Sequence, residues 1–107
     1  MDTLPQYQAI FDLVRLIPAG RVCSYGVIAK YSGPGITARI VGRAMSASHN
    51  QEVPAHRVVN SQGKLTGKMH FDAPAQMQEL LEAEGITIKK DKVVNVEQHF
   101  WSPEELI

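Results

Sequence analysis

One cysteine among 107 residues excludes an internal disulfide, and Cys23, with no second cysteine or paired histidine to join it, leaves no zinc-like ligand spacing. The four histidines, His49, His56, His70 and His99, make no HExxH pattern, and no GxxxxGKS/T loop is present. A zinc hydrolase and a phosphate-cradling nucleotide enzyme are therefore disfavoured. The acids form no obvious pair for glycosidase-like work. No stretch nears the roughly 20 apolar residues that a bilayer span requires, and MDTLPQYQ lacks a charged leader joined to an apolar run. The expectation is a soluble, untargeted, cytoplasmic protein that uses no cofactor or metal.

Net charge is also missing: the formal total is zero, which by itself argues against a nonspecific polyanion binder. Its distribution is uneven, however. Residues 1 to 68 carry eight Lys or Arg against three acids, and residues 69 to 107 carry three against eight, a +5 part followed by a −5 part. Such a chain can offer one basic face to phosphates while staying neutral, so nucleic acid stays open as a ligand beside the plain alternative of scattered solvated charge.

What is present is apolar periodicity, with 44% hydrophobic residues, enough for a single core across residues 1–107. Tyr7, Ile10, Phe11, Val14 and Ile17 recur at helical spacing; Thr3 is the expected N-cap and Pro18-Ala19-Gly20 the stop. Ser24 is positioned to cap a short helix over Tyr25 to Tyr31, ended by Ser32-Gly33-Pro34-Gly35. Thr37 then caps a second helix to about Ala47, with Ile40, Val41 and Ala44 on its apolar face. Helix, glycine-containing turn and helix outline a helix-turn-helix.

The opposite face of that second helix is Ala38, Arg39, Gly42, Arg43 and Ser46. Small side chains let a backbone approach a DNA groove while arginines reach phosphates or enter the base stack, whereas an ordinary solvated helix more often presents Glu and Lys. Beyond Ser46 to Glu52, the segment Val53 to Asn60 runs into Ser61-Gln62-Gly63-Lys64, a turn signal that predicts a strand and a wing-like hairpin. Ala73 to Glu84 reads as a helix stopped by Gly85, with Met77, Leu80, Leu81 and Glu84 on one stripe. A carboxylate on an inward stripe needs a partner. Ile86 to Lys90 and Lys92 to Val96 predict a second small hairpin around Asp91. The fold class expected is α+β, a small winged helix-turn-helix.

Cys23 lies beside Arg21 near a helix start, a setting that can activate a thiol, yet no general-base histidine neighbours it in sequence. The more specific feature is Pro54-Ala55-His56-Arg57-Val58-Val59. Together with Ile17 to Gly26, Ala38 to Met45 and Leu81-Glu82-Ala83-Glu84-Gly85, it resembles the successive blocks of the O6-alkylguanine-DNA alkyltransferase DNA-binding domain, in order and with near-family spacing, from about residue 4 to residue 86. The family's repair signature is Pro-Cys-His-Arg; here alanine stands where the alkyl-accepting cysteine would be. Alanine offers no lone pair, so the covalent step is unavailable at that position. With a tail holding Phe100-Trp101-Ser102-Pro103, the chain resembles the alkyltransferase-like proteins, non-enzymatic sensors that bind DNA containing O6-alkylguanine and pass the lesion to nucleotide excision repair.

The resemblance implies roles residue by residue. Arg39 matches the finger that fills the gap left by an extruded nucleotide, and Tyr25 matches the tyrosine that promotes its rotation out of the stack. Thr37, Ala38, Gly42 and Arg43 complete the expected DNA-binding set, with the helix in the minor groove. The lesion pocket is expected to involve Tyr25, Pro54, Ala55, His56, Val58 and the Gly67-Lys68-Met69 loop, with Lys68 where some relatives carry an arginine. His56, Arg57 and Glu84 match an internal network, Arg57 bracing the pocket loop. The family's loop asparagine has no secure equivalent, and Asn50 stays unassigned. Double-stranded DNA with O6-alkylguanine and excision-repair proteins are the expected partners of a monomer. Two other readings remain: a winged-helix transcription regulator, and an enzyme acting through Cys23.

Overall fold

The computed structural model describes residues 5–49 and 51–106. Helix α1 spans Pro5–Val14 and buries Ile10, Phe11 and Val14. Proline suits the first helical position, where its missing N–H has no intrahelical partner to lose; the Thr3 cap lies outside the described residues. The helix ends three residues earlier than its apolar spacing implies. Hydrogen bonds from Leu16 N to Leu13 O (3.0 Å) and from Ile17 N to Val14 O (3.1 Å) tighten the last turn and still deliver Ile17 to the core.

Strand β1, Cys23–Ser24, leads directly into α2, Tyr25–Ser32, whose Val27 N donates to the Ser24 hydroxyl at 3.2 Å. Helix α3, Ala38–Ser46, starts at Thr37, whose hydroxyl accepts from Ile40 N at 3.3 Å. Each such cap satisfies one orphan N–H and stabilises its helix by about 1 kcal/mol. The two helices pack on one another and on α1, as the sequence predicts for a helix-turn-helix.

The predicted strand after Pro54 is largely a 3-10 turn, Ala55–Arg57, and the wing hairpin expected at Ser61-Gln62-Gly63-Lys64 does not form as a strand pair. Strand β2, only Val58–Val59, pairs in parallel with β1, Cys23 opposite Val58 and Ser24 opposite Val59. Helices α2 and α3 provide the crossover that a parallel pair needs. Asn60 N donates to Lys64 O at 3.1 Å, so the turn signal was sound, but the chain leaves it toward a different strand. That strand belongs to the predicted second hairpin, β3 Ile88–Lys89 and β4 Lys92–Val93. Lys90 and Asp91 both have positive φ (52° and 60°), the requirement of a two-residue turn whose twist matches its strands.

Helix α4 is Gln76–Ala83, starting a turn later than expected because the chain around Pro74 forms turns. Its end is specified more strongly than its start. Gly85, at φ 88°, lets Ile86 N reach Leu81 O (3.1 Å) while its own N–H reaches Glu82 O (3.0 Å), the Schellman pair of bonds. Helix α5, Val96–His99, precedes a tail that lies beside β1: Val22 N donates to His99 O and Trp101 N to Val22 O. Arg21 clamps this tail through the carbonyls of His99 and Phe100 and the Glu105 carboxylate, holding that carboxyl below its usual range.

Alternation along the central ribbon divides the core, since successive strand residues point to opposite sides. Cys23 and Val58 face a cluster with Ile10, Phe11, Ile28, Val41 and Trp101, whereas Val22 and Val59 face another with Met77, Leu81, Ile86 and Val93. Each fully buried aliphatic or aromatic side chain stabilises by about 1.5–3 kcal/mol. The result is an α+β domain consistent with a winged helix, and no helix among the described residues is long and apolar enough to cross a membrane.

Candidate nucleic-acid interface

Burying Val41, Ala44 and Met45 turns the other face of α3 outward. Thr37, Ala38, Arg39 and Arg43 are exposed and Gly42 is half-buried, and neither arginine joins an ion pair among the described residues. Two uncommitted guanidinium groups therefore flank a strip of small side chains, a surface able to approach a groove and meet phosphates.

Beside this helix lies a cavity of about 210 Å³. Tyr25 contributes from the start of α2, and Met45, Ser48 and His49 from the end of α3 and the turn after it. Val53, Ala55, His56 and Val58 form another wall, and Gly67, His70, Phe71 and Asp72 close it from the loop before α4. The Thr66 hydroxyl hydrogen-bonds to the Tyr25 hydroxyl at 3.3 Å. Gly67 has ordinary backbone angles (φ −90°, ψ 7°), but a Cβ there would stand 2.9 Å from the Tyr25 hydroxyl. Any larger residue there would push on the tyrosine tip, and glycine lets the loop close against it.

Behind Ala55 sits the network the inward stripe called for. His56 Nε2 meets Glu84 Oε2 at 2.7 Å, Arg57 donates to the Glu84 carboxylate from Nη2 at 2.7 Å and from Nε to both oxygens at 3.0 and 3.2 Å, and once to Ile17 O at 2.8 Å, and Gly20 N donates at 3.0 Å. Desolvation pushes the Glu84 carboxyl upward, but bonds from Arg57, His56 and Gly20 outweigh it and lower its pKa from 4.5 to about 2. One carboxylate thus ties the end of α4 to the Ala55–Arg57 turn and to the chain leaving α1.

Cys23 is fully buried, and burial pushes its thiol up to about 11 despite a backbone bond from Ser24. A thiol held protonated in the core is a poor nucleophile, which removes the ground for an enzyme acting through it. Beside the cavity the side chain at the Pro-Ala-His-Arg turn is a methyl group.

Of the pocket residues expected from the sequence, Tyr25, Ala55, His56, Val58 and Gly67 line the cavity, and Pro54, Lys68 and Met69 do not. Lys68 instead forms an ion pair with Asp91 at 2.5 Å, drawn to the turn of the β3–β4 hairpin, and Met69 is 69% exposed. Ser48, His49, Gln51, His70, Asp72 and Gln76 line it unforeseen. Apart from Gln76, which opens α4, they come from loops without periodicity; the one usable signal was the polar run Ser46 to Glu52, which had no other assignment. Asn50 lies outside the described residues.

A helix-turn-helix with free arginines on its outer helix and a side pocket walled in part by Ala55 and His56 of the Pro-Ala-His-Arg turn defines a narrow class of domain. The 6-O-methylguanine DNA methyltransferase, DNA binding domain, matches residues 5–86, and the chain belongs to that family. Within it, the chain is 35% identical to alkyltransferase-like protein 1 of Schizosaccharomyces pombe, over 91% of this chain and 94% of that one. It is 39% identical to a DNA base-flipping protein of Vibrio parahaemolyticus, over 88% and 93% of the two chains. A methylated-DNA–protein-cysteine methyltransferase of Salmonella typhimurium also matches, at 39% identity over 59% of this chain and 37% of its own length. The fold superposes on S. pombe Atl1 in complex with damaged DNA containing O6-carboxymethylguanine with a TM-score of 0.81, at 37% identity, covering 96% of this chain and all of that one.

Proposed function

We propose that this chain is a non-enzymatic sensor of O6-alkylguanine. It binds duplex DNA through α3 in the minor groove, with Thr37, Ala38, Gly42 and Arg43 against the backbone and Arg39 in the space vacated by the damaged nucleotide. Tyr25 stands where the turned-out nucleotide enters, and the cavity beside Ala55 receives the base. Flipping costs a few kcal/mol, least for a weakly paired damaged base, so pairing energy contributes to the preference. The observation that carries this reading is the methyl side chain of Ala55 in the cavity wall while the chain's only thiol, Cys23, lies in the core. His56 and Glu84, with no thiol to activate, then serve the fold.

In this reading the chain works as a single-domain monomer in the cytoplasm and hands the bound lesion to the nucleotide excision repair proteins. A duplex carrying O6-methylguanine labelled in its methyl group provides the test. The labelled duplex is retained by the protein, and after denaturation the protein carries no label; stoichiometric label on the polypeptide overturns the assignment. Repeating the assay with Cys23→Ala separates acceptance at that thiol from acceptance anywhere else.

A further inference from the structure

The three basic residues in the acidic later part of the chain, Lys89, Lys90 and Lys92, are gathered on the β3–β4 hairpin. Lys92 is the cross-strand partner of Lys89 on one side and of Lys64 on the other. The Lys64–Lys92 pair is bracketed by bonds from Leu65 N to Asp91 O (2.9 Å) and from Val93 N to Gly63 O (3.0 Å). That bracketing makes it a non-hydrogen-bonded antiparallel pair, the kind whose side chains come closest. Directly opposed residues share a face, so Lys64, Lys92 and Lys89 form one row across the β3–β4 hairpin and the segment bridged to it.

All three are exposed, and none joins an ion pair among the described residues. Asp91, in the hairpin turn, is taken by Lys68. Glu97 borders the same shallow hollow as Lys89 and Lys92, and one carboxylate leaves the row of three cations in excess. Like charges directly opposite one another destabilise a sheet, so the row costs the fold stability that Thr or Glu at the same positions would not. Cations a strand spacing apart suit a ligand with repeated negative charge.

The row's position selects among polyanions. Lys64 is three residues from Gly67, which places their Cα atoms within about 10 Å, and Gly67 lies against the Tyr25 hydroxyl at the cavity. An acidic protein surface has matching charge, but the row's nearness to the cavity favours a nucleic acid strand leading into it. We infer that Lys64, Lys89 and Lys92 form a second phosphate-contacting surface, separate from α3, for the strand flanking the turned-out nucleotide. It rests on the proposed DNA binding and is independent of lesion recognition.

The test is the salt dependence of binding to an undamaged duplex and to the same duplex with O6-methylguanine. Each phosphate contact contributes about −0.9 to the slope of log K against log salt. The variant Lys64→Gln/Lys89→Gln/Lys92→Gln is expected to flatten the slope by about 2 to 3 and weaken both duplexes by the same factor. Arginine at the three positions restores the slope, and thermal unfolding of the glutamine variant moves up, since the opposed charges are gone. A slope within about 0.5 of the parent's overturns the inference, as does weaker binding with an unchanged slope. Should the triple variant fail to fold, Lys92→Gln alone decides, with a slope change of about 0.9 expected and none contradicting it. A flattened slope together with equal parent affinity for the two duplexes refutes the lesion reading alone.

Discussion

Replacing Glu84 by alanine is expected to cost about 3 kcal/mol of folding stability, the low end of the loss for one partner removed from a buried charged pair, because this network is partly buried. The Glu84 side chain is 16% exposed and those of Arg57 and His56 are 17% and 13% exposed, so little water is available to the guanidinium and imidazole left behind. The lost carboxylate also frees Gly20 N and loosens Arg57 from Ile17 O. A domain of this size has about 5–15 kcal/mol in total, so the variant is marginal. Chemical denaturation of parent and variant measures the difference, and a loss under about 1 kcal/mol contradicts the role given to the network.

The same group sets an acid limit. Its pKa is about 2 folded and 4.5 in the reference state, a depressed carboxylate. Its contribution is therefore complete above pH 4.5 and disappears as pH falls toward 2. At 1.36 kcal/mol per unit this is about 3 kcal/mol. Stability measured across that window should fall in the parent, and Glu84→Gln should remove this part of the decline.

How much of this was legible in the sequence depended on whether local chemistry or distant pairing decided each element. Ser24 and Thr37 cap helices where they were expected to, and Gly85 stops α4, because each acts on neighbours within five residues. Asp91 likewise marked its hairpin turn. The segment Val53 to Asn60 reads as the start of a hairpin, yet its pairing partner, Cys23–Ser24, lies more than 30 residues upstream, and a two-residue parallel strand has no periodicity to display. At the site, Glu84's inward place signalled a partner, and the network supplied His56 and Arg57. Lys68 stands outside the cavity lining because it pairs with Asp91, 23 positions away, a contact that no local pattern announces. His70 and Asp72 could not be placed, since loop geometry alone turns them toward the cavity.

Arg39→Ala is the second large effect. Arg39 is exposed on α3 without an ion-pair partner, so its removal leaves no buried charge stranded and should change unfolding stability by under about 0.5 kcal/mol. In the proposed complex its guanidinium occupies the gap in the base stack, as a central contact whose loss typically costs 2 kcal/mol or more, roughly 30-fold in Kd. The loss should be larger on damaged than on undamaged duplex, because only a turned-out nucleotide leaves a gap to fill. An equal, small loss on both, of the size of one phosphate contact, would place Arg39 on the backbone and leave the extrusion step without a filler.

The lesion pocket is tested most directly by titrating the purified chain against one duplex sequence made twice, with guanine and with O6-methylguanine at a single position, at the same fixed salt. Tighter binding to the methylated duplex, reversed by a competitor carrying the same lesion and accompanied by intact O6-methylguanine on recovery of the DNA, is the predicted result. Indistinguishable affinities, or guanine recovered in place of O6-methylguanine, would contradict it.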